Sequence, residues 1–563
     1  MNRPSAFSVR TCTAVALAVA TLLAATRIDL PAQQIGQHGM VSTSQPLASQ
    51  AGLRILQQGG NAADAAIASA AVIAVTNPFM AGLGGVGGYA LIYDAKTGTT
   101  QAIDFIGTAP KAATPEMFRG DRLWDFAKRA TDGPLAPLVP GILAGWAAIH
   151  ERYGSMSWDR ILAPAIEYAE KGFPASPGLI RNMTTGDMSK PRRDAYGRTL
   201  FQNGTGEDLR PGELWIQKDL AAMLRTVATK GAADFYKGSI AKQIVDHSRD
   251  SGGLIDAEDL ANYDVIWSDP ISTTYRGYTV SVPQPGSSGM TILQWLNILE
   301  NFDLEAMSRA DYIHTVTEAM KIGFYDDDRY NTGKAGAAVP VQRLISKEYA
   351  AEQAARIDPK KAQHYAPYSP ASISSLGEHT NHHTVVDGNH NIVTITQTLM
   401  YPAGTAVPGT GLIMNNGMCY FSLEPGDANR IEGGARPRFV MSPTIVFRHG
   451  KPYFATGAAG GWTIPQTILQ TILNVIDQKL EIGASGSGRF ILRFLANSIP
   501  YVPGTELTGS LPADVRKALI ERGHRITTAQ DPGPPGASGG ALNSILIDPR
   551  TGVLWGAGGP ATW

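Results

Sequence analysis

The run from Ala62 to Val75 is almost entirely small or apolar, with Asp64 as its exception. It follows a Gly59-Gly60-Asn61 turn and is stopped by Asn77-Pro78. Those bounds predict one long helix. A helix with no polar face cannot lie on a surface, so other elements must enclose it. Tyr89 to Asp94 and Thr100 to Phe105 read as a hairpin around Ala95-Lys96-Thr97-Gly98. Ile161 to Lys171 reads as an amphipathic helix ended by Gly172. From about 175 to 350 the chain reads as mostly helical. Helical periodicity covers Leu220 to Thr229, Ile240 to Asp250, Ile292 to Leu299 and Asp311 to Asp328. Beyond residue 380 strands dominate, with helices expected at Pro465 to Gln478 and Pro512 to Arg522. The final strands fall at Gly539 to Ile547 and Gly552 to Gly558. Strands in both halves with helices between them imply a layered α/β fold.

Composition narrows the functions open to the chain. Its 563 residues allow a large core or more than one domain. Charged residues make up 17% with a net charge of -1 and scattered basic groups, which argues against nucleic acid as a partner. Arg3 and Arg10 precede a 12-residue apolar run, Ala14 to Ala25. That run is short for a bilayer span and fits an export signal, cut somewhere between Ala24 and Ala32. Residues 1–32 are therefore expected to leave, with delivery to the periplasm or beyond and no stable membrane insertion; an uncleaved N-terminal anchor is the other reading of this run. Of the two cysteines, Cys12 lies in that signal, so the mature chain keeps Cys419 alone and cannot form an internal disulfide.

Three motifs resolve against cofactors. Gly82-Leu-Gly-Gly-Val-Gly87 has dinucleotide-loop spacing, but it follows a helix and precedes a strand, the reverse of that motif's context. Asp326-Asp327-Asp328 lacks the alternate spacing of a calcium loop and reads as a solvated helix end. His382 and His383 are adjacent and would point to opposite faces of a strand, so no metal site is expected there.

A polar, turn-rich run from Tyr365 to His379 leads into Thr380. Thr384 to Asp387 alternates, a turn follows at Gly388-Asn389, and Ile392 to Thr396 returns. This reads as a loop feeding a β-hairpin, with Thr380 at the junction. On its own the pattern also fits an ordinary strand threonine.

Thr380-Asn-His-His-Thr-Val-Val-Asp387 resembles the start of the small subunit in the gamma-glutamyltranspeptidase family. Gly59-Gly-Asn-Ala-Ala-Asp-Ala-Ala66, Asn77 to Gly85, Met441-Ser-Pro-Thr-Ile-Val446 and Gly460-Gly461 resemble further family motifs, in the family's order. The resemblance runs from about residue 36 to the C-terminus. It implies the four-layer αββα fold of N-terminal nucleophile hydrolases. It also implies a precursor that cuts itself between His379 and Thr380 into a large subunit, 33–379, and a small one, 380–563. No cofactor is implied; the partners are a small-molecule amide and the two pieces of one precursor. A threonine hydroxyl is a weak nucleophile without a base. The cut would free an α-amine of unperturbed pKa about 7.7–8, close to working pH. By resemblance Thr380 attacks an amide carbonyl, Thr398 supports it by hydrogen bonding, and the backbone of Gly460-Gly461 holds the oxyanion. Asn381 stands where the family has a second threonine.

The headgroup positions depart from the family. Ile106 replaces its carboxylate-binding Arg, Met400 its Asn, and Tyr420 its amine-binding Asp. Phe439 and Val440 replace its paired Ser, and Gly417 its Gln. A zwitterion there would lose its charge partners. A neutral or apolar acyl group is the expectation, with Arg438 able to meet a carboxylate elsewhere on the substrate. Two other readings stay open: a gamma-glutamyltransferase with rearranged headgroup ligands, and a non-catalytic binding protein on the same scaffold.

Overall fold

The computed structural model describes residues 33–119, 128–363, 380–485, 490–492, 507–509, 511–526, 541–558 and 560–562. The export signal, the 365–379 run and His379 lie outside them.

Two seven-stranded sheets form the middle of the molecule, and neighbouring strands within them pair antiparallel. The first runs, edge to edge, Pro560–Thr562, Gly39–Thr43, Asn381–Asp387, Ile392–Thr398, Gly87–Asp94, Thr99–Asp104 and Ile266–Ser268. The second runs Gln34–Gly36, Leu554–Ala557, Leu542–Ile547, Lys451–Ala458, Thr444–Arg448, Tyr278–Val282 and Ile271–Tyr275. Hydrogen bonds cross between them. Asn543 Nδ2 donates to His382 O at 2.9 Å, and Ser42 Oγ donates to Ala557 O at 2.6 Å.

The apolar helix, Ala62–Thr76, is buried along its whole length. It packs on the Asn381–Asp387 and Ile392–Thr398 strands, with the helices Pro46–Gln57, Ile142–Tyr153 and Trp158–Lys171 around it. Asn61 caps it, and Asp64 completes the capping box. Asp64 also accepts from the Ser155 N–H at 3.0 Å and hydroxyl at 2.6 Å, which satisfies the one acid in the run. On the far side, Gly289–Leu299 and Thr463–Ile476 pack on the second sheet, with Arg309–Tyr330 behind. The order is helix, sheet, sheet, helix, as the resemblance implies.

One expectation is refined and one corrected. The 175–350 region is mostly helical, but Ile271–Tyr275 and Tyr278–Val282 form a hairpin within it. Its two-residue turn, Arg276-Gly277, has φ of 48° and 83°, the left-handed pair that suits strand twist. Asp326, Asp327 and Asp328 are not a solvated helix end; they are 5%, 0% and 2% exposed. Tyr349 and Gln294 donate to Asp326, and Thr291 and Asn331 donate to Asp327. Arg438 pairs with Asp328.

Candidate active site

Thr380 sits at the head of the Asn381–Asp387 strand, which lies in the middle of the first sheet. That strand pairs with Ile392–Thr398 from Asn381 opposite Gln397 onward. One step further in the same register sets Thr380 across from Thr398. The two are 6% and 2% exposed. Side chains alternate along a strand, so Thr380 shares the face of His382. His382 faces the second sheet, since a Cβ added to Gly457 would fall 2.2 Å from its ring. Thr380 thus looks into the space between the sheets.

The two histidines do point apart. His382 bonds Thr396 Oγ1 at 2.9 Å and Thr384 Oγ1 at 3.1 Å. His383 bonds Asn381 Oδ1 at 3.0 Å and lies toward Ala66 of the apolar helix. Burial pulls His382 well below the ordinary imidazole range and His383 down to about 4, so both are neutral near pH 7. Asn381 Nδ2 also donates to Ser44 Oγ at 3.3 Å, which ties this strand head to the N-terminal segment.

The Lys451–Ala458 strand passes His382 at Gly457 and ends in the glycine loop. Gly460 and Gly461 have φ of 129° and 57°, conformations that favour glycine. The helix Thr463–Ile476 starts directly after them. Gly460 O and Gly461 O accept its first N–H groups. Among the described residues, the N–H groups of Gly460 and Gly461 themselves meet no backbone acceptor. Unspent N–H groups at the start of a helix are suited to hold an anion.

Thr398 Oγ1 accepts the Met400 N–H at 2.7 Å, and Met400 takes a φ of 68°, rare for a residue with a side chain. That turn brings Met400 into one apolar cluster with Ile106, Tyr420, Phe439 and Val440, all at most 5% exposed. The rings of Tyr420 and Phe439 stack at 3.9 Å and 16°. Asn429, missed in the sequence, holds the stack in register. Its Nδ2 donates to Tyr420 O, and its Oδ1 accepts the Arg438 N–H at 2.9 Å. No local sequence signal marks it.

Arg438 is neither on the surface nor open to a ligand carboxylate in this structure. It is 4% exposed, donates to Asp327 O at 2.8 Å and pairs with Asp328. Its guanidinium lies 5.8 Å from the ring of Trp462, the residue after the glycine loop. One further cluster, His314, Glu318 and His524, brings its ring and carboxylate atoms within 4.8 Å of one another. His314 Nδ1 bonds His524 Nε2 at 2.8 Å. Glu318 accepts from Lys321 Nζ and the Gln363 N–H. These facing atoms are therefore already spent on protein partners.

Two face-to-face sheets between helical layers, with a threonine heading a central strand, are the four-layer arrangement of N-terminal nucleophile hydrolases. A gamma-glutamyltranspeptidase family model matches residues 48–561, and the chain belongs to that family. It is 36% identical over 541 residues to the glutathione hydrolase proenzyme of Escherichia coli (strain K12), covering 93% of this chain and 90% of that one. It is 37% identical over 537 residues to the acylase ACY 1 proenzyme of Pseudomonas sp. (strain SE83), covering 93% and 92%. The crystal structure of cephalosporin acylase from Bacillus halodurans superposes with a TM-score of 0.82 at 32% identity, covering 94% of this chain and 97% of that one. The protein is thus an enzyme of amidohydrolase or acyltransferase type, related to proteins made as proenzymes. Among the described residues no helix is long and apolar enough to cross a membrane.

Proposed function

We propose that this chain is an exported, self-cleaving amide hydrolase or acyltransferase that forms its acyl-enzyme on Thr380 and prefers a neutral or apolar acyl group. The cut between His379 and Thr380 frees the α-amine that takes the proton of Thr380 Oγ. The hydroxyl oxygen attacks the amide carbon, and the Gly460 and Gly461 N–H groups hold the developing oxyanion. The amine leaves with that proton, and water or an acceptor amine then releases the acyl group. Thr398 orients the nucleophile from across the ladder. The leading apolar run, Ala14 to Ala25, supports export.

The acyl preference rests on one observation: Ile106, Met400, Tyr420, Phe439 and Val440, which stand at the headgroup positions by resemblance, are all buried in one apolar core, where Tyr420 and Phe439 stack. A glutamyl headgroup carries two charges, and burying an unpaired charge there costs several kcal/mol. The named relatives include both glutathione hydrolases and acylases, so the family's named activities are not confined to glutathione. The alternative is a gamma-glutamyltransferase whose headgroup ligands come from other residues.

Two measurements test the reading. On a denaturing gel the wild type should give fragments of about 37 and 20 kDa by residue count, and Thr380→Ala should stay whole. Against a panel of acyl p-nitroanilides, kcat/KM for short apolar acyl groups should exceed that for the gamma-glutamyl compound at least tenfold, about 1.4 kcal/mol. A gamma-glutamyl preference would establish the alternative. An uncut wild type would remove the nucleophile from both.

A further inference from the structure

A cavity of about 270 Å³ opens between the edge of the first sheet and the 332–341 loop. Tyr89 and Asp104, paired across neighbouring strands, line its inner wall. Thr332, Lys334, Val339 and Val341 also line it. Tyr89 is 1% exposed, yet its phenol oxygen has no hydrogen-bond partner among the described residues. A buried hydroxyl left unpaired costs about 1–3 kcal/mol. Gly286 keeps a side chain out of the space beside it. A Cβ on Gly286, whose φ is +101°, would stand 3.0 Å from the phenol oxygen and 3.2 Å from Gly333 Cα.

Asp104 presents the complementary charge. Its Oδ1 accepts the Ile106 N–H at 2.8 Å, while the side chain keeps 16% of its surface open. Arg436 stands 3.9 Å away, but its donors go to the carbonyls of Ile106 and Asp264. It softens the charge without capping the carboxylate. Lys334 pairs with Glu432 at 3.1 Å. Burial pushes Asp104 up to about 6, the mark of an anion short of solvation, which a cation relieves. The segment beside the phenol also meets Phe439: Ser287 bridges Phe439, and Phe439 donates its N–H to Gly286 O at 2.6 Å.

We propose that this cavity binds a small primary ammonium compound with a short apolar tail, its –NH3+ held by the Asp104 carboxylate and the Tyr89 hydroxyl and its carbons against Val339 and Val341. The site stands on its own geometry and does not depend on the chemistry at Thr380.

Titration calorimetry of the intact protein with n-propylammonium chloride at constant ionic strength tests it, with 1-propanol as the neutral counterpart. Saturable binding is expected, at least tenfold weaker in Asp104→Asn and severalfold weaker in Tyr89→Phe, with none for 1-propanol. In Asp104→Asn the side-chain amide oxygen would still accept the Ile106 N–H. Tyr89→Phe removes only an oxygen that has no partner among the described residues, so it serves if the first variant fails to fold. No saturation by the wild type up to about 100 mM, equal affinity for 1-propanol, or unchanged affinity in Tyr89→Phe would overturn the site.

Discussion

Without the Arg438 guanidinium, the Asp328 carboxylate would be left buried and without its cation. Removing one member of such a pair costs about 3–5 kcal/mol. Arg438→Met should therefore lower the urea midpoint clearly, and adding Asp328→Asn should restore much of the loss. Asp104 gives a pH-dependent counterpart. Its folded pKa, about 6, lies above the unfolded value, so the folded state holds the proton more tightly. Its contribution is favourable at pH 4 and is lost as pH rises through 6. Asp104→Asn should thus gain in melting temperature relative to wild type, on the order of 1–2 °C, at pH 7.5 but not at pH 4. Differential scanning calorimetry at the two values checks the sign.

Among the elements, the strand Lys451–Ala458 has little freedom where it passes the site, because Gly457 lies against the His382 ring. Gly457→Val would force the two sheets apart beside Thr380. Self-cleavage on the gel should be abolished or slowed more than tenfold, with a cooperative but weakened unfolding transition. The elements with strong local signals are legible in the sequence. The apolar helix is expected at Ala62 to Val75 and found at Ala62–Thr76. The hairpin after Gly87 and the strand following Thr380 are legible for the same reason: alternation with a turn between. The Arg276-Gly277 hairpin carries such a signal too, but it is short and sits among helical patterns that outweigh it. The aspartate triplet misleads because local composition says nothing of what packs over a helix end. The same limit hides the Tyr420–Phe439 stack and the Asn429 brace. Both join segments apart in sequence, and only the fold makes them neighbours.

Across the whole molecule, the pieces that the proposed cut would create are woven together. The strands Asn381–Asp387 and Ile392–Thr398 lie between Gly39–Thr43 and Gly87–Asp94 in one sheet. In the other, Thr444–Arg448 pairs with Tyr278–Val282. Gel filtration of the processed enzyme without denaturant should give one species containing both fragments. Fragments expressed apart should be insoluble, since each would expose unpaired sheet edges.

This weave gives the enzyme a one-way life history. The uncut chain can search for its sheets as a single tethered molecule. After cleavage, two separate polymers must meet before any central strand finds its neighbour, so recovery from denaturant becomes second order in protein. Thr380→Ala should regain native circular dichroism after dilution from urea at any concentration, whereas the matured enzyme should fail to do so when dilute. The durability of the working form is then set by how slowly it comes apart, not by an equilibrium it could return to.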